Sequence, residues 1–71
     1  MPLVEITLAE GRSPEQLRSL MAAVTQACHD SIGAPVPSIR VVLREVPKTH
    51  WSAGGVTIAE REAASQQGDP S

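Results

Sequence analysis

The sequence predicts an α+β fold: a single βαβ unit with parallel strands and a short C-terminal hairpin or edge strand, completed by oligomerisation. Three observations carry that expectation. Leu3–Leu8 and Ser38–Val46 alternate apolar and polar residues as strands do, and a capped amphipathic helix lies between them. The chain has only 71 residues, with one Trp and no Phe or Tyr, so its own core is small. The lone Cys28 excludes an internal disulfide, and no Cys/His cluster has metal-ligand spacing. Further copies of the chain are left as the source of buried area.

In the first strand Val4, Ile6 and Leu8 share one face, and Leu3, Glu5 and Thr7 the other. The strand begins almost at Met1, so the N-terminus is expected to be held at a sheet end. Glu10-Gly11-Arg12 forms the turn that leaves it. Ser13-Pro14-Glu15-Gln16 is a helix start: Ser13 caps, Pro14 suits the first turn, and Gln16 completes a capping box. Leu17, Leu20, Met21, Val24, Ala27, Cys28 and Ile32 then recur at helical steps as one apolar stripe. Gly33 caps the C-terminus and Pro35 prevents continuation, giving a helix from Pro14 to Ile32.

The second strand, Ser38–Val46, is rich in β-branched residues and is stopped by Pro47. Two strands joined through a helix require a right-handed crossover and parallel pairing. Lys48–Ala53 reads as an irregular connection, and Gly54-Gly55 introduces the short run Val56-Thr57-Ile58. Residues 1–61 are expected to form the folded domain and the polar residues 62–71 a flexible tail. Parallel strands are usually covered on both faces, and one helix covers one. The second cover is expected from another copy.

The net charge of −2 and the lack of a basic run argue against a nucleic-acid partner. No secretory signal and no membrane span is recognisable, so the expected compartment is the cytoplasm.

Pro2 is the first chemical candidate. Removal of Met1 leaves a secondary amine at a strand end, and burial with nearby guanidinium groups disfavours its protonated form. A base poised near neutrality suits proton transfer at carbon. Pro2 standing after the initiator Met is alternatively a coincidence, since many chains begin Met-Pro. Arg12, at the turn after the first strand, and Arg40, early in the second, would together suit an acidic substrate and its enolate-like transition state. Either is alternatively a surface arginine paired with Glu5, Glu10 or Glu45. Trp51 either walls a ligand site or plugs a subunit interface. Cys28 lies on the apolar stripe and behaves as a small hydrophobe; His29 reads as solvated, and His50 as a lone loop histidine.

The combination is more specific than its parts. Met1-Pro2 before a strand, Glu10-Gly11-Arg12-Ser13, the capped helix, Ala34-Pro35, Arg40 within Ser38–Val42, and His50-Trp51 before Gly54-Gly55 stand in one order without gaps. From Pro2 to about Glu60 the chain resembles the 4-oxalocrotonate (2-hydroxymuconate) tautomerase family. The resemblance implies βαβ subunits that pair and then form homo-hexamers. It implies a cofactor-free and metal-free isomerase acting on a small acidic enol or keto acid. Pro2 would be the general base, carrying a proton from a dienol oxygen to carbon. Arg12 would bind the distal carboxylate, and Arg40, supplied by a neighbouring subunit, the 2-hydroxy or keto group and nearby carboxylate. Trp51 stands where the family usually has a wall Phe. Ala9 and Ala53 replace bulky aliphatics, so the substrate pocket is expected to be reshaped. They offer neither the added carboxylate nor the additional arginine of the family's dehalogenase relatives. Two other readings stay open: a pathway-specialised relative with a non-muconate enol substrate, and a non-catalytic binding oligomer.

Overall fold

A computed structural model describes residues 1–67. Strand β1 (Leu3–Ala9) leads through the Glu10–Ser13 turn into helix α1 (Pro14–Ile32), which returns the chain to β2 (Arg40–Val46). The strands pair in parallel from Leu3 opposite Arg40 to Ala9 opposite Val46. A small hairpin follows, β3 (Ser52–Ala53) antiparallel to β4 (Val56–Thr57), and then helix α2 (Ile58–Gln67). The expected βαβ unit and hairpin are both present.

The helix α1 begins where its capping residues require. Ser13 Oγ accepts from the Gln16 amide at 3.1 Å, and Gln16 Oε1 accepts from the Ser13 amide at 2.9 Å. Its last turn is closed by the Gly33 amide, which donates to the His29 carbonyl at 3.0 Å. Val4, Ile6 and Leu8 of β1, with Val41 and Leu43 of β2, form the half-buried face of the sheet, toward α1. From α1 they meet a stripe of Leu17, Leu20, Met21, Val24 and Cys28, all half-buried.

Four expectations need correction. Ala27 and Ile32 do not join that stripe; both are exposed, Ile32 at 69%. The helix, about 28 Å long, outruns strands of about 23 Å, so its last turn overhangs the sheet. The second strand starts at Arg40 rather than Ser38, because Val36–Ser38 close a 3₁₀ turn. There the Ser38 amide and hydroxyl both donate to the Pro35 carbonyl, at 2.9 and 2.7 Å. The connection after β2 is not wholly irregular, since Lys48–His50 form a second 3₁₀ turn.

The largest difference is at the C-terminus. Ile58 begins α2 instead of ending a strand, and Glu62–Gln67, read from the sequence as the start of a tail, continue that helix. Thr57 and Glu60 cap it: the Thr57 amide and hydroxyl donate to Glu60 Oε1 at 2.8 and 2.9 Å, and the Glu60 amide donates to Thr57 Oγ1 at 3.0 Å. The rest of the expected tail, 68–71, lies outside the described residues. Between β3 and β4, Gly54 (φ 61°) and Gly55 (φ 82°) fill the two left-handed positions of a tight hairpin turn.

The core is thin. Ile39, 8% exposed, is the one described apolar residue that is buried, and no described side chain is fully so. On the uncovered sheet face Leu3 is 59% and Val42 41% exposed, beside an Arg44–Glu5 ion pair of 3.0 Å that is itself open to solvent. The radius of gyration is 16.6 Å, against about 11 Å for a compact domain of this length. The hairpin and α2 thus reach out from the βαβ unit as an arm. Full burial of Leu3 and Val42 alone would contribute about 1.5–3 kcal/mol each.

Candidate active site

The parallel register sorts the candidate residues to opposite ends of the sheet. Pro2 is half-buried at the start of β1, and its carbonyl accepts from the Arg40 amide at 3.0 Å. Arg40 turns its guanidinium aside, donating to the Pro37 carbonyl at 2.8 Å. At the other end Glu10 donates from its amide to the Val46 carbonyl at 2.9 Å, extending the sheet to the turn that carries Arg12. Arg12 Nη1 donates to the Ala9 carbonyl at 3.1 Å. About 23 Å of strand separates Pro2 from this turn, so one chain cannot bring Pro2 and Arg12 together.

Neither arginine takes part in the ion pairs found among the described residues, which are Arg44–Glu5 and Lys48–Glu62. The alternative pairing of Arg12 or Arg40 with Glu5, Glu10 or Glu45 is therefore not what is observed. Both guanidinium groups lean on backbone carbonyls instead and keep most of their donors outward.

Arg12 opens onto a cavity of ≈ 490 Å³, lined by Ala9, Glu10, Gly11, Arg12, Gln16, Lys48, Ile58 and Glu62. A second hollow of ≈ 510 Å³ lies on the uncovered sheet face among Thr7, Val46, His50, Trp51 and Ser52. Ala9 of the first and Val46 of the second are partners across the sheet, so the hollows adjoin. Trp51, 37% exposed, is presented to the second by the 3₁₀ turn before it and by its carbonyl, which accepts from the Ile58 amide at 2.9 Å. Of the three expected pocket residues, Ala9 lines the first hollow and Trp51 the second. Ala53 lines neither; its carbonyl accepts from Arg61 Nη2 at 3.0 Å.

Lys48 and Glu62 were not singled out in the sequence. Lys48 Nζ donates to both Glu62 oxygens, at 3.2 and 3.0 Å. The sequence signal that leads to them is the Thr57-x-x-Glu60 capping box, which extends a helix through Glu62. The same box holds the Glu60 carboxyl below its ordinary range, through the Thr57 amide first and its hydroxyl second. Cys28 is half-buried on α1, as expected. His29 is exposed yet not idle: its Nδ1 is 2.9 Å from the Ala34 carbonyl, which fixes that nitrogen as the donor.

The family of tautomerase enzymes matches residues 2–61, the span that carries Pro2, both arginines and Trp51. The chain belongs to the tautomerase family. A 2-hydroxymuconate tautomerase of Comamonas testosteroni is 40% identical to it over 60 residues, 84% of this chain and 95% of that one. Among solved structures, TomN, a 4-oxalocrotonate tautomerase homologue in the tomaymycin biosynthetic pathway, is 43% identical. Its TM-score is 0.85 over 99% of this chain and 100% of that one. The heterohexamer 4-oxalocrotonate tautomerase of Chloroflexus aurantiacus is 42% identical, with a TM-score of 0.80 over 84% of this chain and 97% of that one. This tautomerase is accordingly an isomerase of the 4-oxalocrotonate type, and its βαβ unit and hairpin are that family's fold.

Proposed function

We propose that this tautomerase moves a proton from oxygen to carbon in small acidic enols of the 2-hydroxymuconate type, without cofactor or metal, at sites shared between copies of the chain. The observation that supports it most is the placement of Pro2 and Arg12 at opposite ends of β1, about 23 Å apart. A site that uses both must take them from different chains. The thin core and uncovered sheet face favour the same conclusion, since they leave apolar surface for another copy.

In this reading Met1, 87% exposed, is removed at no cost to the fold and frees the Pro2 amine. The amine lone pair takes the enol O–H proton and, as ammonium, returns it to carbon, so one group serves as base and then acid. Arg12 of a second chain holds the distal carboxylate bidentately. An Arg40 guanidinium, released from the Pro37 carbonyl, offsets charge developing on the substrate oxygen. Trp51, Ala9 and Ala53 shape the apolar walls. A homo-hexamer is the proposed assembly: hexamers occur among the relatives, and a closed ring of paired units would cover every open sheet face.

Complementation tests this. A protein that keeps Met1 on Pro2 and an Arg12→Ala protein should each be nearly inactive on 2-hydroxymuconate. Co-assembled in equal amounts, they should regain activity in about a quarter of the sites, those that receive both intact groups. No recovery, with mixed oligomers demonstrated by mass, would place both groups in one chain and sink the proposal.

A further inference from the structure

The cavity beside Arg12 is lined by two cations and two carboxylates: Arg12 and Lys48, Glu10 and Glu62. Lys48 lies close over the Glu10-Gly11-Arg12 turn. A Cβ built on Gly11 would stand 3.6 Å from both Cε and Nζ of Lys48. The ammonium is thus a neighbour of the arginine assigned to carboxylate binding, and a second cation for the same ligand group. It is already engaged. Glu62 reaches back from the first part of α2 and accepts from Lys48 through both oxygens, at 3.2 and 3.0 Å. That is the contact an incoming carboxylate would make with a lysine.

We infer that Glu62 determines charge selectivity at the Arg12 end of the site. It occupies Lys48 as an internal carboxylate and places a negative charge where the second carboxylate of a diacid would arrive. The site's preference for enol diacids over enol monoacids is thereby reduced, and its range extends to substrates whose far end is uncharged. This rests on the assignment of Arg12 to substrate binding made above. The side chains of Lys48 and Glu62 are 37% and 53% exposed, so the effect is a screened one of a few-fold, not an absolute gate. The same exposure lets either side chain be replaced without opening the fold.

The test uses two inert six-carbon dienes that differ by one carboxylate, (E,E)-muconate and sorbate, with binding measured by calorimetry at low salt on the assembled protein. In Glu62→Gln the ratio of sorbate Kd to muconate Kd should rise about threefold over the wild type. In Lys48→Met, which leaves Glu62 uncompensated beside Arg12, the ratio should fall below the wild type. Asp30→Asn, on α1, makes the same change in net charge as Glu62→Gln and should leave the ratio unchanged. An unaltered ratio in Glu62→Gln, an equal rise in Asp30→Asn, or no muconate binding to Glu62→Gln would each overturn the inference. Calorimetry needs no turnover. A protein that fails to convert 2-hydroxymuconate but shows these ratios would refute the catalytic reading and leave the role of Glu62 standing.

Discussion

The amide of Arg40 donates to the carbonyl of Pro2 at 3.0 Å, so the first residue of β2 fixes the residue that precedes β1. An N-terminal residue normally frays; this one is tied into a sheet. The bond continues the parallel register one residue beyond Leu3 and holds the Pro2 carbonyl in place.

The first prediction concerns that nitrogen. Retaining Met1 converts the amine to an amide with no basic lone pair, while the Pro2 carbonyl and its bond to Arg40 remain. Turnover of an acidic enol should drop by about a hundredfold or more, the share a general base supplies. In the processed protein kcat/KM should rise with pH through one ionisation, because only the unprotonated amine can accept the enol proton. Full activity with Met1 retained, or a pH profile flat across neutrality with chemistry rate-limiting, would remove Pro2 from the mechanism.

The two arginines should fail differently. Arg12→Ala removes a charged anchor and should raise KM by about tenfold or more, with a smaller effect on kcat. Arg40→Ala should weigh on kcat, since charge at the substrate oxygen grows only toward the transition state. Steady-state kinetics of both variants decide this, and wild-type kcat/KM in both would make them ordinary surface residues.

Trp51 is predicted to read substrate length. It shares its hollow with Thr7 and Val46, and Val46 pairs across the sheet with Ala9, which lines the Arg12 cavity. Trp51→Phe should keep the fold and change kcat/KM unequally, by about tenfold between the shortest and longest enols of a series. A uniform change across the series would assign Trp51 to packing alone.

Most of the βαβ unit was legible because each of its signals is local. Ser13 and Gln16 are three residues apart, Gly33 ends its own helix, and the alternation of Val4, Ile6 and Leu8 is visible by inspection. The helix α2 escaped for a different reason. Its capping pair, Thr57 and Glu60, is as local as Ser13 and Gln16, but the residues after it are polar or alanine and carry no stripe of large apolar side chains. The separation of Pro2 from Arg12 was implicit in the length of β1, needing only the rise per residue. The meeting of Lys48 with Glu62 was not. They stand fourteen positions apart in sequence, and only the path of the hairpin brings them into contact.

A fourth prediction follows from the Thr57–Glu60 pair. Because the folded state holds the Glu60 carboxyl below its ordinary range, the ionised form favours the capped helix. That contribution is complete above the unfolded carboxylate's titration and is lost as pH falls through the depressed folded value. Helix α2 should therefore fray once the pH falls below the ordinary carboxylate range and stay intact above it. Amide exchange along residues 58–67 at stepped pH reads this directly. Glu60→Gln should flatten the acid response, and an unchanged response in that variant would detach it from the cap.

The isolation of Ile39 as the one buried apolar residue among those described also changes what unfolding means for this chain. Larger domains are defended against heat and denaturant by an interior of their own. In the assembly proposed above the interior is held jointly, so the free energy of folding would carry a concentration term and dilution would act as a denaturant. Melting temperature should climb with protein concentration, and loss of structure and loss of activity should set in at the same dilution. In that assembly the stability of the fold would belong to a population of chains rather than to any one of them.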